Sequence, residues 1–303
     1  MGTYHIPVMA NEAIQYLKIK KNAWYIDCNL GGGGHTDKIL EEGGNVLGID
    51  LDFEAIKEVA EKHKLTVNLV NDRFLAVSDK LIICQANFSQ LKDISSQFLK
   101  QDPAGILFDL GLSSSQLDTT SRGFSFNKNA PLDMRMNRSQ SLTAADLVNG
   151  LYLSELTELF WKYGDEQFAK PIAKKIIEYR SREKIDTTEK LSQIILSVKR
   201  FNRVNKIHPA TKVFQALRIA VNDELRSLED ALPQALDVLQ PFGRIVVISF
   251  HSLEDRIVKN FFKIEEEKYS IKIITQKPIE PTESEVEVNP RSRSAKLRAA
   301  EKI

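Results

Sequence analysis

The chain has 303 residues, 42% of them hydrophobic and 27% charged, with a formal net charge of +1. This is an ordinary globular composition, long enough for two domains or for one domain carrying an insertion. No apolar run approaches the roughly 18 residues that span a bilayer, and two cysteines, Cys28 and Cys84, make neither a disulfide framework nor a zinc cage.

The first residues, MGTYHIPVMANEAI, lack the basic-then-apolar pattern of a secretory signal, so a reducing, cytoplasmic setting is expected. An apolar run over 24–27 then ends in Asp27, four glycines follow at Gly31 to Gly34, and a helix is predicted over 35–42. A second run, Val46–Ile49, ends in Asp50. Strand, glycine turn, helix, strand and acid, in that order, suit an adenine nucleoside. The glycines allow close backbone approach, the helix N-terminus offers free N–H groups, and the second acid accepts from a ribose.

A dinucleotide turn reads G-x-G-x-x-G. Here the third glycine is replaced by Thr36 or Asp37, depending on the register. Asp27 at the mouth of the turn repels a pyrophosphate but attracts a sulfonium or an ammonium, and S-adenosylmethionine carries both. The turn therefore favours a methyltransferase over an NAD dehydrogenase, with a plain glycine-rich turn as the bland alternative.

Further strands are predicted at 81–85 and 104–109 and helices at 53–63 and 89–100, an alternation that argues for a parallel sheet covered by helices. Residues 110–137 break the pattern without a period, and a loop of that length is usually functional. Residues 142–201 read as helices only, from the spacing of Leu153, Leu156, Phe160 and Tyr163 and of Ile172, Ile176 and Tyr179. Thr187 is a predicted helix start. Another helix is predicted over 210–225, then strands at 244–250 and 269–275, with the proline- and glutamate-bearing segment 277–290 extended or mobile.

Motifs at 27–36, Asp50, Asp109 onward and FHSLED (250–255) all fall at carboxyl ends of strands, where open α/β sheets bind ligands. Charge is uneven. Residues 170–218 are basic, including Lys174, Lys175, Arg182, Lys184, Arg200, Arg203 and Lys206, as is the tail with Arg291, Arg293 and Arg298, whereas 265–287 is acidic. Such patches either bind phosphates or are solvated helix faces.

HIPVM (5–9), D-x-N-x-G-x-G-G-H-T (27–36), NFS (87–89), DLGLSSSQLD (109–118), RGFSF (122–126), PLDMRM (131–136) and YGDE (163–166) form an ordered set of blocks. It continues with HPATKVFQALRIAVNDEL (208–225), SFHSLEDRIVK (249–259) and NPRSRSAKLR (289–298). Together they closely resemble the bacterial ribosomal small-subunit RNA cytosine-N4 methyltransferases, the RsmH or MraW family. The resemblance implies an α/β fold, a Rossmann-like class I S-adenosylmethionine methyltransferase domain (1–137 and 207–303) with an inserted all-helical domain (138–206) for RNA. It implies S-adenosylmethionine as donor, and 16S rRNA of the small ribosomal subunit as partner, methylated at the exocyclic N4 of a decoding-centre cytidine. By position, Gly33, Gly34, His35, Asp50, Phe88, Asp109 and Gln116 look like the donor contacts. Asn29 departs from the usual threonine, and 65–86 is longer than usual.

The amine of cytosine is a poor nucleophile, so alignment and a nearby acceptor are the main catalytic requirements. Asp109 with Ser113 is the expected amine-holding pair; its alternative is a donor contact only. His251 is either a base or, more often for such a residue, structural. Phe124 and Phe126 either stack on a base or anchor their loop, and Arg122 and Arg135 contact phosphate or pair with Asp118 and Asp133. No cluster has metal-ligand spacing, and no metal is expected. Competing readings are a methyltransferase for protein or a small molecule, and a donor-binding ribosome-assembly factor without catalysis.

Overall fold

Continuous apolar strands form where a sheet is covered on both faces, and the runs at 24–27, 46–50, 81–85, 105–109 and 244–249 meet that condition. The computed structural model describes residues 6–113, 116, 119–126, 128–199 and 208–303. Contacts divide it into two units, residues 1–114 with 225–303, and residues 115–224.

The first unit begins α1 (Ala10–Leu17), β1 (Trp24–Asp27), α2 (Gly34–Glu41), β2 (Asn45–Asp50), α3 (Phe53–Lys62) and β3 (Asn68–Val70). It continues with β4 (Arg73–Val77), β5 (Leu81–Gln85), α4 (Leu91–Phe98) and β6 (Gly105–Asp109). Helices α5 (Ala144–Gly150), α6 (Leu153–Gly164), α7 (Ala169–Arg180), α8 (Thr188–Val198) and α9 (Thr211–Asn222) form the second unit. The chain ends with α10 (Glu224–Val238), β7 (Arg244–Ser249), α11 (Ser252–Glu267), β8 (Ile271–Ile273), α12 (Glu283–Val288) and β9 (Lys296–Lys302).

The described strands join in the order β3-β4-β5-β2-β1-β6-β7-β9-β8. β5, β2, β1, β6 and β7 are parallel neighbours, while β9 is antiparallel to both β7 and β8. The chain winds outward from β1 to β5, then crosses to β6 on the other side of β1. The switch point therefore lies between β1 and β6.

Side chains alternate across the sheet. Ile26, Leu47, Cys84, Phe108 and Val247 pack with Leu228, Leu232, Val258 and Phe262 on one face. Tyr25, Val46, Ile83, Leu107 and Val246 pack with Met9, Leu17, Ile39, Ile56 and Val59 on the other. Burying a Phe108 or a Phe262 fully contributes roughly 2–3 kcal/mol each. Cys28 and Cys84 are buried free thiols, and burial pushes the Cys28 thiol well above its ordinary pKa.

Several elements extend the predicted set. β3 and β4 form a hairpin within the long 65–86 segment, and α10, α11 and β9 were not among the predicted elements. Segment 277–290 is structured rather than extended or mobile. Thr282 caps α12, Glu285 Oε1 accepts from the Met9 amide at 2.6 Å, and Asn289 donates to the Ile6 carbonyl at 3.1 Å. Those partners lie nearly the whole chain away, out of reach of local sequence reading.

In the second unit, Leu156, Phe160, Ile172, Ile176, Val213 and Leu217 are buried, as their helical spacing predicted, whereas Leu153 at the start of α6 is exposed; Leu191 and Ile195 of α8 are buried as well. Thr187 caps α8 by accepting from the Lys190 amide. The unit is wider than the expected 138–206. Asn222 of α9 accepts from the Met136 amide and donates to the Met134 carbonyl, both at 2.8 Å, tying 131–136 to α9.

Candidate active site

Carboxyl ends of β1, β2 and β6, with the turns that follow them, bring the predicted residues of the first unit together. Asp27 ends β1 fully buried and accepts from Thr36 Oγ1 at 2.8 Å and the Asn29 amide at 3.3 Å. Burial pushes its carboxyl up, countered by His35 and the Thr36 hydroxyl, and the charge of Asp109 pushes it further.

The glycine turn needs its glycines for two separate reasons. Gly33 has φ +74°, a left-handed backbone, and an added Cβ there would lie 3.0 Å from a Val59 methyl. At Gly34 an added Cβ would lie 2.9 Å from the Pro7 ring. The segment from Ile6 to Met9 thus packs on the turn, and α2 starts there with its first amides uncapped by any side chain. Ser113 also reaches this turn, since a Cβ at Gly31 would stand 3.6 Å from Ser113 Cβ.

Asp50 ends β2 half-buried. Its Oδ2 accepts from the Gly31 amide and its Oδ1 from the Asp52 amide, both at 2.8 Å. Burial raises its carboxyl pKa to about 7; the two amides oppose the shift, and the charges of Asp52 and Asp27 add to it. One carboxylate thus clamps the glycine turn to the β2–α3 turn while remaining partly open to solvent. Phe88 follows β5 on a short 3-10 turn capped by Asn87, its ring edge-on to Phe108 at 5.7 Å.

Asp109 ends β6 beside Asp27, two residues beyond the Leu107 that pairs with Asp27. His35, in the first turn of α2, is buried, with Nε2 3.2 Å from Asp109 Oδ2. Asp109 Oδ1, Asn29 Oδ1 and both ring nitrogens of His35 are buried without a hydrogen-bond partner among the described residues, so the 3.2 Å approach of His35 to Asp109 is a close charge contact. Buried acceptors without donors beside a glycine cradle fit a bound group that supplies N–H or O–H donors and positive charge. An adenosyl donor with a ribose diol, a sulfonium and an ammonium has those features, whereas a pyrophosphate would meet Asp27 and Asp109 as like charges.

Other predicted residues fall elsewhere. Gln116 is buried in the second unit. Phe124 is buried, and Phe126 stacks on His208 at 4.5 Å and meets Phe214 edge-on, so both anchor their own loop. Arg122 is buried and donates to the Arg135 and Met136 carbonyls at 2.9 Å, while Arg135 pairs with Asp133, so neither is a free phosphate ligand. His251 caps α11, its Nδ1 accepting from the Glu254 amide, the structural alternative. Asp118, Arg200, Arg203 and Lys206 lie outside the described residues.

Arg298 is a correction. It sits on β9 only 8% exposed, donating from Nε and Nη2 to the two oxygens of Asp255 at 2.6 and 3.2 Å. It fastens α11 to the sheet and does not reach solvent phosphates. Arg298→Ala strands a largely covered carboxylate, and a loss of roughly 2 kcal/mol is expected, visible as a lowered midpoint in chemical denaturation with RNA affinity unchanged.

Taken together, the strand order, the antiparallel β9 between β7 and β8, the glycine turn after β1 and the acid after β2 define a Rossmann-like class I methyltransferase. The profile of the MraW methylase family matches residues 2–303. A ribosomal RNA small subunit methyltransferase H of Dehalococcoides mccartyi is 47% identical over 99% of this chain and 86% of its own length. The protein of that name from Carboxydothermus hydrogenoformans is 42% identical over 99% and 98%. A solved structure of a putative methyltransferase from Streptococcus mutans in complex with SAH shares 13% identity at TM-score 0.43, with 97% of each chain covered. The chain belongs to the MraW methylase family. Among the described residues no helix is long and apolar enough to cross a membrane.

Proposed function

We propose that this protein transfers a methyl group from S-adenosylmethionine to the exocyclic N4 of a decoding-centre cytidine in 16S rRNA of the small ribosomal subunit. The observation that carries the reading is the pair of acids at the carboxyl ends of β2 and β6, Asp50 and Asp109, either side of the glycine turn, in a chain 42–47% identical to named small-subunit RNA methyltransferases. Gly33, Gly34 and the amide of His35 hold the amino-acid portion of the donor, Asp50 its ribose and Phe88 its adenine. When bound, the donor supplies a methyl already activated by its sulfonium.

The protein's own task is to align the amine and take its proton. The unpartnered Oδ1 of Asp109 accepts from the N4 amine, localising its lone pair, and Ser113 at the edge of the glycine turn steadies the base. The cytidine leaves its stack to reach this site, as base-modifying enzymes require. Exposed cations of the helical unit (Lys174, Arg182, Lys184) and of the tail (Arg291, Arg293) hold RNA phosphates, so binding weakens with added salt.

Methyl transfer from labelled S-adenosylmethionine to small subunits lacking the modification, followed by nucleoside mass spectrometry, tests this. Label is expected in N4-methylcytidine. Label in another nucleoside, in protein or nowhere, with donor bound, would overturn the assignment.

A further inference from the structure

His35 was read from the sequence as a donor contact or a helix-opening residue, yet its side chain is turned to the β6 acid. It is 4% exposed, and its Nε2 lies 3.2 Å from Asp109 Oδ2. Asp27 is the second acid in its surroundings, and Glu285, which accepts from the Met9 amide, is a third and weaker influence. An imidazole in the first turn of a helix normally loses its proton, because burial and the helix N-terminus both disfavour a cation.

Here the balance is reversed. Burial lowers the affinity of His35 for its proton, but the adjacent Asp109 carboxylate 3.2 Å away, then the charges of Asp27 and Glu285, outweigh it, and its pKa is raised. Two aspartates at neighbouring strand ends would repel each other in this buried setting. A positively charged ring 3.2 Å from Asp109 Oδ2 offsets that repulsion, while Oδ1 has no hydrogen-bond partner among the described residues.

We propose that His35 is a positioning residue, whose imidazolium holds Asp109 Oδ2 so that Oδ1 is presented in a fixed direction to the substrate amine. This rests on the role proposed for Asp109 above, and it assigns His35 a side-chain function in the transfer step distinct from its backbone contact to the donor.

Two measurements test it. The first needs neither donor nor RNA: the His35 ring signal is followed by NMR against pH, assigned by its loss in His35→Gln among the five histidines. In Asp109→Asn the midpoint is expected to fall by at least one pH unit, and in Asp27→Asn by less. An unchanged midpoint in Asp109→Asn would show that the ring is not paired with Asp109 and would end the proposal, whatever the protein methylates.

The second is a double-mutant cycle in single-turnover methyl transfer. His35→Leu is expected to slow transfer by about 100-fold, the scale of a misplaced reacting group. His35→Gln, which still offers an N–H, should recover about tenfold of that loss. In the Asp109→Asn background His35→Leu should cost less than about threefold more, since the two act as one unit. Additive losses, or a leucine variant as fast as the parent with its thermal midpoint preserved, would refute the positioning role.

Discussion

Donor affinity is expected to rise about tenfold between pH 6 and pH 8, and Asp50 carries that rise. Its carboxyl has a pKa raised to about 7, first by burial and then by Asp52 and Asp27. Ribose hydroxyls donate to the carboxylate form, so binding scales with the ionised fraction, which grows about tenfold across that interval. Folding stability should move the opposite way. The native state holds the Asp50 proton to higher pH than the unfolded chain, so the stability contributed by that proton is full below pH 4 and is lost as pH rises through about 7. Asp50→Asn removes both dependences. It also weakens donor binding by about 100-fold, because an amide cannot replace a charged acceptor of two amides and a diol. Calorimetric titration with S-adenosylhomocysteine at pH 6, 7 and 8 checks the first expectation, and paired thermal melts check the second. A pH-independent affinity shared by parent and variant would remove Asp50 from the ribose site.

Why β1, β2, β5, β6 and β7 were legible while β3, β4 and β9 were not follows from burial. The first set is covered on both faces, so each reads as an uninterrupted apolar run. β3 is exposed along its length and carries no such signal. A turn signal was nevertheless present, because Asn71 and Asp72 both have positive φ (49° and 61°), the backbone of a tight hairpin that Asn and Asp tolerate. β9 reads Lys-Leu-Arg-Ala, a half-polar alternation that resembles a basic tail until its partner strands are known. Helix α11 was missed because its cap is a histidine rather than the usual serine, threonine, aspartate or asparagine.

The same distinction separates site residues found from those misjudged. Asp27, Asp50 and Asp109 announce themselves locally as acids that end apolar strands. The fate of a cation depends on a partner far along the chain: Arg298 on Asp255, 43 residues away, and Lys199 on the buried Glu166, 33 residues away. Charge counts therefore overstated the basic surface, while the loop aromatics were decided by His208 and Phe214, which the sequence sets more than 80 positions from Phe126. The pairing of His35 with Asp109 belongs to this second kind, which is why the glycine-turn motif alone pointed only to a donor contact.

Asp109→Asn is expected to slow methyl transfer by about 100-fold or more while donor affinity changes less than about threefold. The substitution keeps shape and volume, so a loss reports on chemistry rather than packing. Of the two oxygens, Oδ2 lies 3.2 Å from His35 Nε2, and Oδ1 is buried without a hydrogen-bond partner among the described residues. An asparagine oriented with its carbonyl to His35 places an NH₂ where an acceptor is required, and one oriented the other way sets two donors against each other. Neither orientation can take a proton from N4. The transition state alone builds positive charge on that nitrogen, so the loss should appear in the transfer rate and leave donor binding largely intact. Rapid-quench single turnovers with saturating donor, beside calorimetric donor titrations, separate the two. Equal losses in affinity and in kcat/KM, with the bound-state rate preserved, would make Asp109 a donor ligand and move the search for the proton acceptor to Ser113 or to water.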